Sequence, residues 1–250
     1  MKVLALDFDG VICQSRAEVL RVAVDAWNGL GLDPGISEAM VMEETTAETL
    51  DRLVPLGNRA EDFGVALHIL GAGLPVEDQD QYDEVREGLG QAWLHDFHNA
   101  FYETRRCRRE EGLPGWLALH QPYDGFVDIL RRRAGETTFA ITTAKDGESV
   151  RLLLGFFGIS DLFADRLILD KETGISKKIH LRVLSEKLKA PLSEITFVDD
   201  KLNHVESVAE LGVRAVVAGW GYNTDRELEK AKSAGFVVAS LEDVEDLLFS

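Results

Sequence analysis

The sequence predicts an α/β protein whose doubly wound parallel sheet is interrupted by an inserted, all-helical module. Three observations predict it. Short apolar runs end on Asp or Thr, those runs alternate with helix-patterned stretches, and more than a hundred residues separate the first run from the second. Alternation of this kind places helices on both faces of a parallel sheet and gathers polar strand ends along one edge, where such sheets bind ligands.

The first run, "KVLAL", stops at Asp7 and reads as a buried central strand. Comparable runs are "TTFAITT", ending at Thr142 and Thr143, "RLIL" before Asp170, "ITFVDD", ending at Asp199 and Asp200, and "RAVVAG". Between them "DGESVRLLLGFFG", "KKIHLRVLSEKLK" and "HVESVAELG" read as helices, the first and last closed by Gly158 and Gly212. The stretch from Ser15 to Ala118 is far too long for one crossover. It carries four segments of helical pattern separated by Gly or Pro: "RAEVLRVAVDAWNGLG", "SEAMVMEETTAETLDRLVPLG", "AEDFGVALHILGAG" and "QYDEVREGLGQAWLHDFHNAFYETRRCRREEG". "HQPYDGFVDILRRRAGE" then returns the chain to the sheet through a helix.

A chain of 250 residues with 45% hydrophobic and 28% charged residues buries a sizeable core without staples. Its 27 basic and 44 acidic residues give a formal charge of -17, which argues against nucleic acid or anionic lipid as partner. An anionic ligand needs local positive charge to offset that field. Cys13 and Cys107 lie far apart and outside any metal-spaced set, as expected of reduced thiols. The opening residues lack a signal-peptide pattern and no run approaches a membrane span, so the expected location is the cytoplasm.

Asp7 and Asp9, two apart in an extended segment, are expected to share one site beyond the first strand. Adjacent carboxylates repel unless a cation or proton joins them. With Asp200 at another strand end, a hard cation held by oxygen answers this, and magnesium fits because it needs few carboxylates and bridges to phosphate. An Asp carboxylate is also a competent nucleophile toward phosphorus, given hydroxyl and ammonium donors for the transferring oxygens. Thr142 and Lys177 are placed to supply those donors.

"LDFDGVI", "FAITTAKD", "SKKIHLRVL" and "FVDDKLNHVESVAELGV" stand in the order and spacing of the four motifs of the haloacid dehalogenase superfamily. The chain resembles a capped phosphatase of that superfamily, near the phosphoglycolate phosphatase and β-phosphoglucomutase group. The likeness covers the first dozen residues and the chain from about Gln121 onward. It implies a Rossmann-like core of residues 1–14 and 119–250 with a helical cap of residues 15–118. It further implies that Asp7 is the nucleophile and Asp9 the general acid and base, with Thr142, Thr143 and Lys177 on the phosphoryl group. Magnesium would be held by Asp200, an Asp7 oxygen and the Asp9 carbonyl, with Asp199 an auxiliary ligand or an orienting acid. The expected partner is a small phosphorylated molecule, and the expected state a monomer or homodimer.

Two positions depart from the family pattern. His204 stands four residues after Asp200, where Asp or Asn is usual, so support of the metal is expected to be weaker or differently tuned. Lys177 and Lys178 are adjacent; Leu181 and Leu184 match the spacing expected after Lys177, which is therefore preferred. A sugar-phosphate mutase of the same superfamily remains an alternative. A 2-haloacid dehalogenase is disfavoured by Asp9 and Asp200, and a non-catalytic phospho-ligand module by the presence of Asp7 and Asp9.

Plainer readings cover the other prominent residues. His95 and His98 fit one partly buried helix face better than a metal site. "RRCRR", Arg105 to Arg109, reads as a solvated face pairing with "REE", the alternative being a clamp for a substrate carboxylate or second phosphate. Arg131 to Arg133 sit where a helix C-terminus favours positive charge. Trp93, Phe101 and Trp116 read as core of the inserted module.

Overall fold

The computed structural model describes residues 2–57, 59–174 and 176–249. In chain order the strands are β1 (Lys2–Leu6), the two-residue β2 (Cys13–Gln14) and β3 (Gln121–Pro122), β4 (Thr137–Thr142), β5 (Phe163–Leu169), β6 (Ile195–Asp199), β7 (Arg214–Ala218) and β8 (Val237–Ala239). The chain divides into two compact units, Met1–Gln14 with Gln121–Ser250, and Ser15–His120.

The first unit carries a six-stranded sheet in the order β5-β4-β1-β6-β7-β8, every neighbouring pair parallel. β8 is a strand that the sequence reading did not anticipate, because "VVA" is too short to register as an apolar run. β2 and β3 form a separate antiparallel pair where the chain leaves and re-enters this unit. The helices of the unit are α7 (Asp124–Arg133), α8 (Gly147–Phe156), α9 (Lys177–Leu188), α10 (Leu202–Ala209), α11 (Asp225–Ser233) and α12 (Val244–Phe249) once the six helices of the other unit are numbered ahead of them. Val3, Ala5, Phe197 and Val217 pack against Leu181 and Leu184 of α9 and Leu202, Val205 and Val208 of α10. The alternate residues Leu4, Leu6, Val198 and Val216 are buried too, as expected of strands covered on both faces. β1 is central, so its C-terminal end opens between the ends of β4 and β6.

The second unit is helical: α1 (Arg16–Gly29), α2 (Glu38–Met42), α3 (Glu44–Leu53), α4 (Ala60–Ala72), α5 (Gln79–Glu111) and α6 (Leu113–Leu117). Trp27, Leu67, Tyr82, Phe97 and Phe101 form its core. The segment from Ser37 to Gly57 is not one helix: Glu43 adopts an extended backbone between α2 and α3, and Val54–Leu56 is a single 3-10 turn carrying Pro55. The long segment is likewise broken at Gly90, whose φ of 81° and ψ of 157° divide α5 into two helices. None of the described helices is long and apolar enough to cross a membrane.

The arginine-rich run corrects its sequence reading. Arg106 does pair at the surface, with Glu103 and Glu110. Arg105, however, is buried and binds Glu18 through two hydrogen bonds of 2.7 and 3.0 Å, and Trp116 Nε1 donates to the same carboxylate at 3.1 Å. Arg109 is buried as well. Successive residues on a helix turn by about 100°, so a run of basic residues cannot remain on one solvated face. His95 and His98, three apart on α5, take different partners: His98 Nδ1 lies 2.9 Å from Glu61 and His95 Nε2 lies 3.0 Å from Asn99. Trp93 stacks on Phe97 within this core, and Phe101 and Trp116 are buried. Arg132 and Arg133, in the first unit, both pair with Glu245.

Candidate active site

β1 delivers Asp7 into the space between β4 and β6. The Asp7 N–H still donates to Val198 on β6 at 2.9 Å, and its Oδ1 accepts the Phe8 N–H at 2.7 Å. The chain then turns sharply: the Ile12 and Cys13 N–H groups both donate to the Phe8 carbonyl, and Gly10 N–H donates to Cys13. Gly10 makes this possible with φ +81°, and a Cβ there would stand 2.3 Å from Asp200 Oδ2. The turn thus sets Asp9 apart from Asp7: Asp7 is buried, while the Asp9 carboxylate is 27% exposed.

Lys177, the first residue of α9, joins three strand ends. Ser176 caps that helix by accepting the Ile179 N–H, fixing where the lysine emerges. From there Lys177 Nζ lies 2.9 Å from Asp7 Oδ1, 2.9 Å from Asp199 Oδ2 and 2.6 Å from the Thr142 carbonyl. All three ammonium hydrogens therefore have acceptors in a buried setting. Lys178 instead leaves the cluster and pairs with exposed Glu210 at 2.6 Å. Thr142 is fully buried, its hydroxyl donating to the Leu6 carbonyl at 3.4 Å, and Thr143 Oγ1 accepts the Lys145 N–H at 3.1 Å.

Asp199 and Asp200 diverge. Asp199 Oδ1 accepts the Lys201 N–H at 2.8 Å, and His204 Nδ1 lies 3.1 to 3.2 Å from both oxygens. Asp200 Oδ2 accepts the Tyr222 N–H at 2.7 Å, and its backbone carbonyl accepts from the Asn223 side chain. The loop after β7 makes this close approach possible, because a Cβ on Gly221 would lie 2.3 Å from Asp200 Cβ and 2.5 Å from the Gly10 carbonyl. Trp220 Nε1, donating to Val11, ties that loop to the turn after β1.

One ammonium among three buried carboxylates leaves an excess of negative charge. Burial pushes the Asp7 carboxyl up to about 6; Lys177 pulls against this, and Asp199 adds to it. Asp199 is buried too, yet Lys177 and His204 outweigh burial and hold it well below the usual carboxylate range. Asp200 is raised by burial, with Asp199 and Asp7 adding to the effect. Lys177 is raised because the attraction of Asp199 and Asp7 exceeds the penalty of burial. Among the described residues, Asp7, Asp199 and His204 offer ligand atoms within 4.8 Å of one another, an acidic cluster able to hold a metal ion. Its carboxylate oxygens suit a hard cation, and a dipositive charge there would favour the ionised carboxylates against the burial, and the lesser repulsion, that raise Asp7 and Asp200.

Two contributors escaped the sequence reading, and a third, His204, was read there only as a departure from the family pattern. Lys145, whose side chain is wholly buried, reaches the Asp9 carboxylate at 3.2 and 3.4 Å. It lies inside "FAITTAKD", but no pattern marked it as facing Asp9. The Tyr222 amide, like any backbone donor, has no side-chain signature, although the glycines flanking Trp220 hint at a close approach. His204 touches Asp199 directly, where the sequence suggested only a change in support of the metal.

A family model described as haloacid dehalogenase-like hydrolase matches residues 1–212, and the chain belongs to that family. Among curated proteins, the tyrosine-protein kinase PtkA of Mycobacterium tuberculosis is 30% identical over 131 residues, which are 50% of this chain and 44% of that protein. The match thus spans less than half the length of that relative. A Lactobacillus delbrueckii crystal structure, provisionally assigned as a phosphoglycolate phosphatase, superposes with a TM-score of 0.70 at 15% identity, covering 99% of both chains. A haloacid dehalogenase family hydrolase of Deinococcus radiodurans, solved with phosphate and sodium, gives 0.56 at 16% identity over 98% of this chain and 93% of that one. At such identities these two likenesses speak to the fold.

Proposed function

We propose that this chain is a magnesium-dependent phosphomonoester hydrolase that acts on a small phosphorylated metabolite through an aspartyl phosphate on Asp7. The observation that carries this reading is the meeting of Asp7, Lys177, Thr142 and Asp199 at the ends of β1, β4 and β6. Family membership and the phosphate bound by the Deinococcus radiodurans relative support it. Residues Ser15–His120 are proposed as the cap module of the family.

In the first half-reaction an Asp7 oxygen bonds to phosphorus while the leaving group departs with the proton that Asp9 supplies. In the second, Asp9 takes a proton from the water that attacks the phosphoaspartate, and inorganic phosphate leaves. A bound phosphoryl group would draw Lys177 from one of its three present acceptors and the Thr142 hydroxyl from the Leu6 carbonyl, so that both donate to its oxygens, with Thr143 beside them. Magnesium would be held by Asp7, Asp200 and the Asp9 carbonyl, and when bound it neutralises charge on the transferring phosphoryl group. Of the Asp7, Asp199 and His204 grouping, Asp7 would then be the ligand, and Asp199, engaged by Lys177 and His204, the orienting acid, since a hard cation favours oxygen over a ring nitrogen.

Asp7→Asn is expected to abolish release of phosphate from phosphorylated metabolites while leaving the unfolding transition cooperative. A full-rate Asp7→Asn enzyme refutes the proposal. A second reading keeps the aspartyl phosphate and changes the acceptor from water to a hydroxyl, as in a mutase; the kinase name of the 30% identical relative favours testing it. Following labelled phosphate into water or into an alcohol separates the two.

A further inference from the structure

We propose that Lys145 is a positioning residue that aims the Asp9 carboxyl at the leaving oxygen, an inference that rests on the acid and base role of Asp9 given above. The Lys145 side chain has no exposed surface, whereas the carboxylate it meets is 27% exposed. The lysine is therefore the fixed partner and the aspartate the one that needs fixing. Its Nζ lies 3.2 Å from Asp9 Oδ1 and 3.4 Å from Oδ2, so a single ammonium limits rotation of the carboxyl plane.

The loop bearing Lys145 is held by its backbone. Its N–H donates to Thr143 Oγ1 at 3.1 Å, and its carbonyl accepts the Lys171 N–H at 3.4 Å. The main chain thus helps to shape the loop, and the ammonium meets the Asp9 carboxylate. When the Asp7 oxygen bonds to phosphorus, the bond from phosphorus to the leaving oxygen breaks and its electron pair stays with that oxygen. The leaving oxygen takes the Asp9 proton and departs as an alcohol. Asp9 is left as a carboxylate directly beside the Lys145 ammonium. Misplacement of a reacting group by about 1 Å costs roughly a hundredfold in rate, so this restraint is kinetically visible.

The test is the dependence of kcat/KM on leaving group, measured with phenyl phosphates substituted from nitro to methoxy on the wild-type chain and on Lys145→Met. Nitrophenolate departs with little help from an acid, whereas methoxyphenolate needs the proton. Lys145→Met is expected to lose about 100-fold on the methoxy substrate and less than about 10-fold on the nitro substrate, steepening the dependence. In an Asp9→Asn background the same substitution is expected to add no further selective loss.

Equal loss across the series overturns the proposal and marks a structural role. A raised KM with constant kcat for every substrate also overturns it, because the lysine then contacts substrate. A wild-type chain inactive on the whole series removes the phosphatase reading itself, an outcome distinct from an active enzyme indifferent to Lys145. Lys145→Gln, closer in shape and equally uncharged, is read by the same criteria should the methionine variant fail to fold.

Discussion

Replacing Lys177 with methionine tests the electrostatic account of the site in a form that needs no substrate. The ammonium is buried and serves two buried carboxylates at 2.9 Å each and the Thr142 carbonyl at 2.6 Å. Removing one member of a buried ion pair costs about 3–5 kcal/mol, because the partner is left charged without compensation. Protons can replace the lost cation, and this fixes the pH dependence. Asp7 sits at about 6 even with Lys177 in place, above its unfolded value, so stability from its bound proton is complete below about pH 4 and is lost as pH rises through the folded value. Without Lys177 both Asp7 and Asp199 move upward, and the loss extends to higher pH at roughly 1.4 kcal/mol for each unit of upward shift.

The variant is therefore expected to be nearest to wild type around pH 4 to 5 and to fall behind by about 3–5 kcal/mol near pH 8. Urea unfolding across that range, with a chelator present, reads the difference. Lys178→Met is the matched control: its partner Glu210 is exposed, and a solvent-screened surface pair contributes little at any pH. A penalty for Lys177→Met that does not change with pH, or an equal penalty for Lys178→Met, refutes the reasoning.

Other outcomes follow from the same geometry. Gly10→Ala places a Cβ 2.3 Å from Asp200 Oδ2 at a φ of +81°; a backbone cost of about 1–2 kcal/mol and clearly weaker magnesium binding by calorimetry are expected, and unchanged affinity contradicts the packing described. Because a cation favours ionised Asp7, the increase in melting temperature on adding magnesium should be smaller near pH 5 than about pH 8; equal increases contradict the raised Asp7. In the helical unit, Arg105→Met strands the fully buried Glu18 and should cost about 3–5 kcal/mol in urea unfolding, much of it recovered in Glu18→Leu/Arg105→Met. No recovery would show that the pair contributes more than mutual charge compensation.

Much of the fold was legible because strand ends and helix caps are local matters. "KVLAL" ending at Asp7 and "ITFVDD" ending at Asp199 announced parallel strands whose polar ends converge, and the observed sheet places them as neighbours. β8 was missed because three residues of an edge strand carry little periodicity. The breaks at Glu43 and Gly90 were missed because apolar spacing persists across a single non-helical residue.

The residue types at the site were likewise written in the sequence, since only certain side chains can attack phosphorus, carry a proton or hold a hard cation. Their partners were not. Which of two adjacent lysines faces inward depends on the rotation of α9 that Ser176 sets at its cap. That Asp199 takes Lys177 and His204 depends on how α9 and α10 start, and that Asp200 takes the Tyr222 amide depends on the loop that follows β7. The meeting of Lys145 with Asp9 joins positions 136 residues apart. Chemical identity is carried by each residue alone, and the sequence by itself determined it. Charge compensation is shared among groups brought together only when the chain folds, so the tertiary structure decided it.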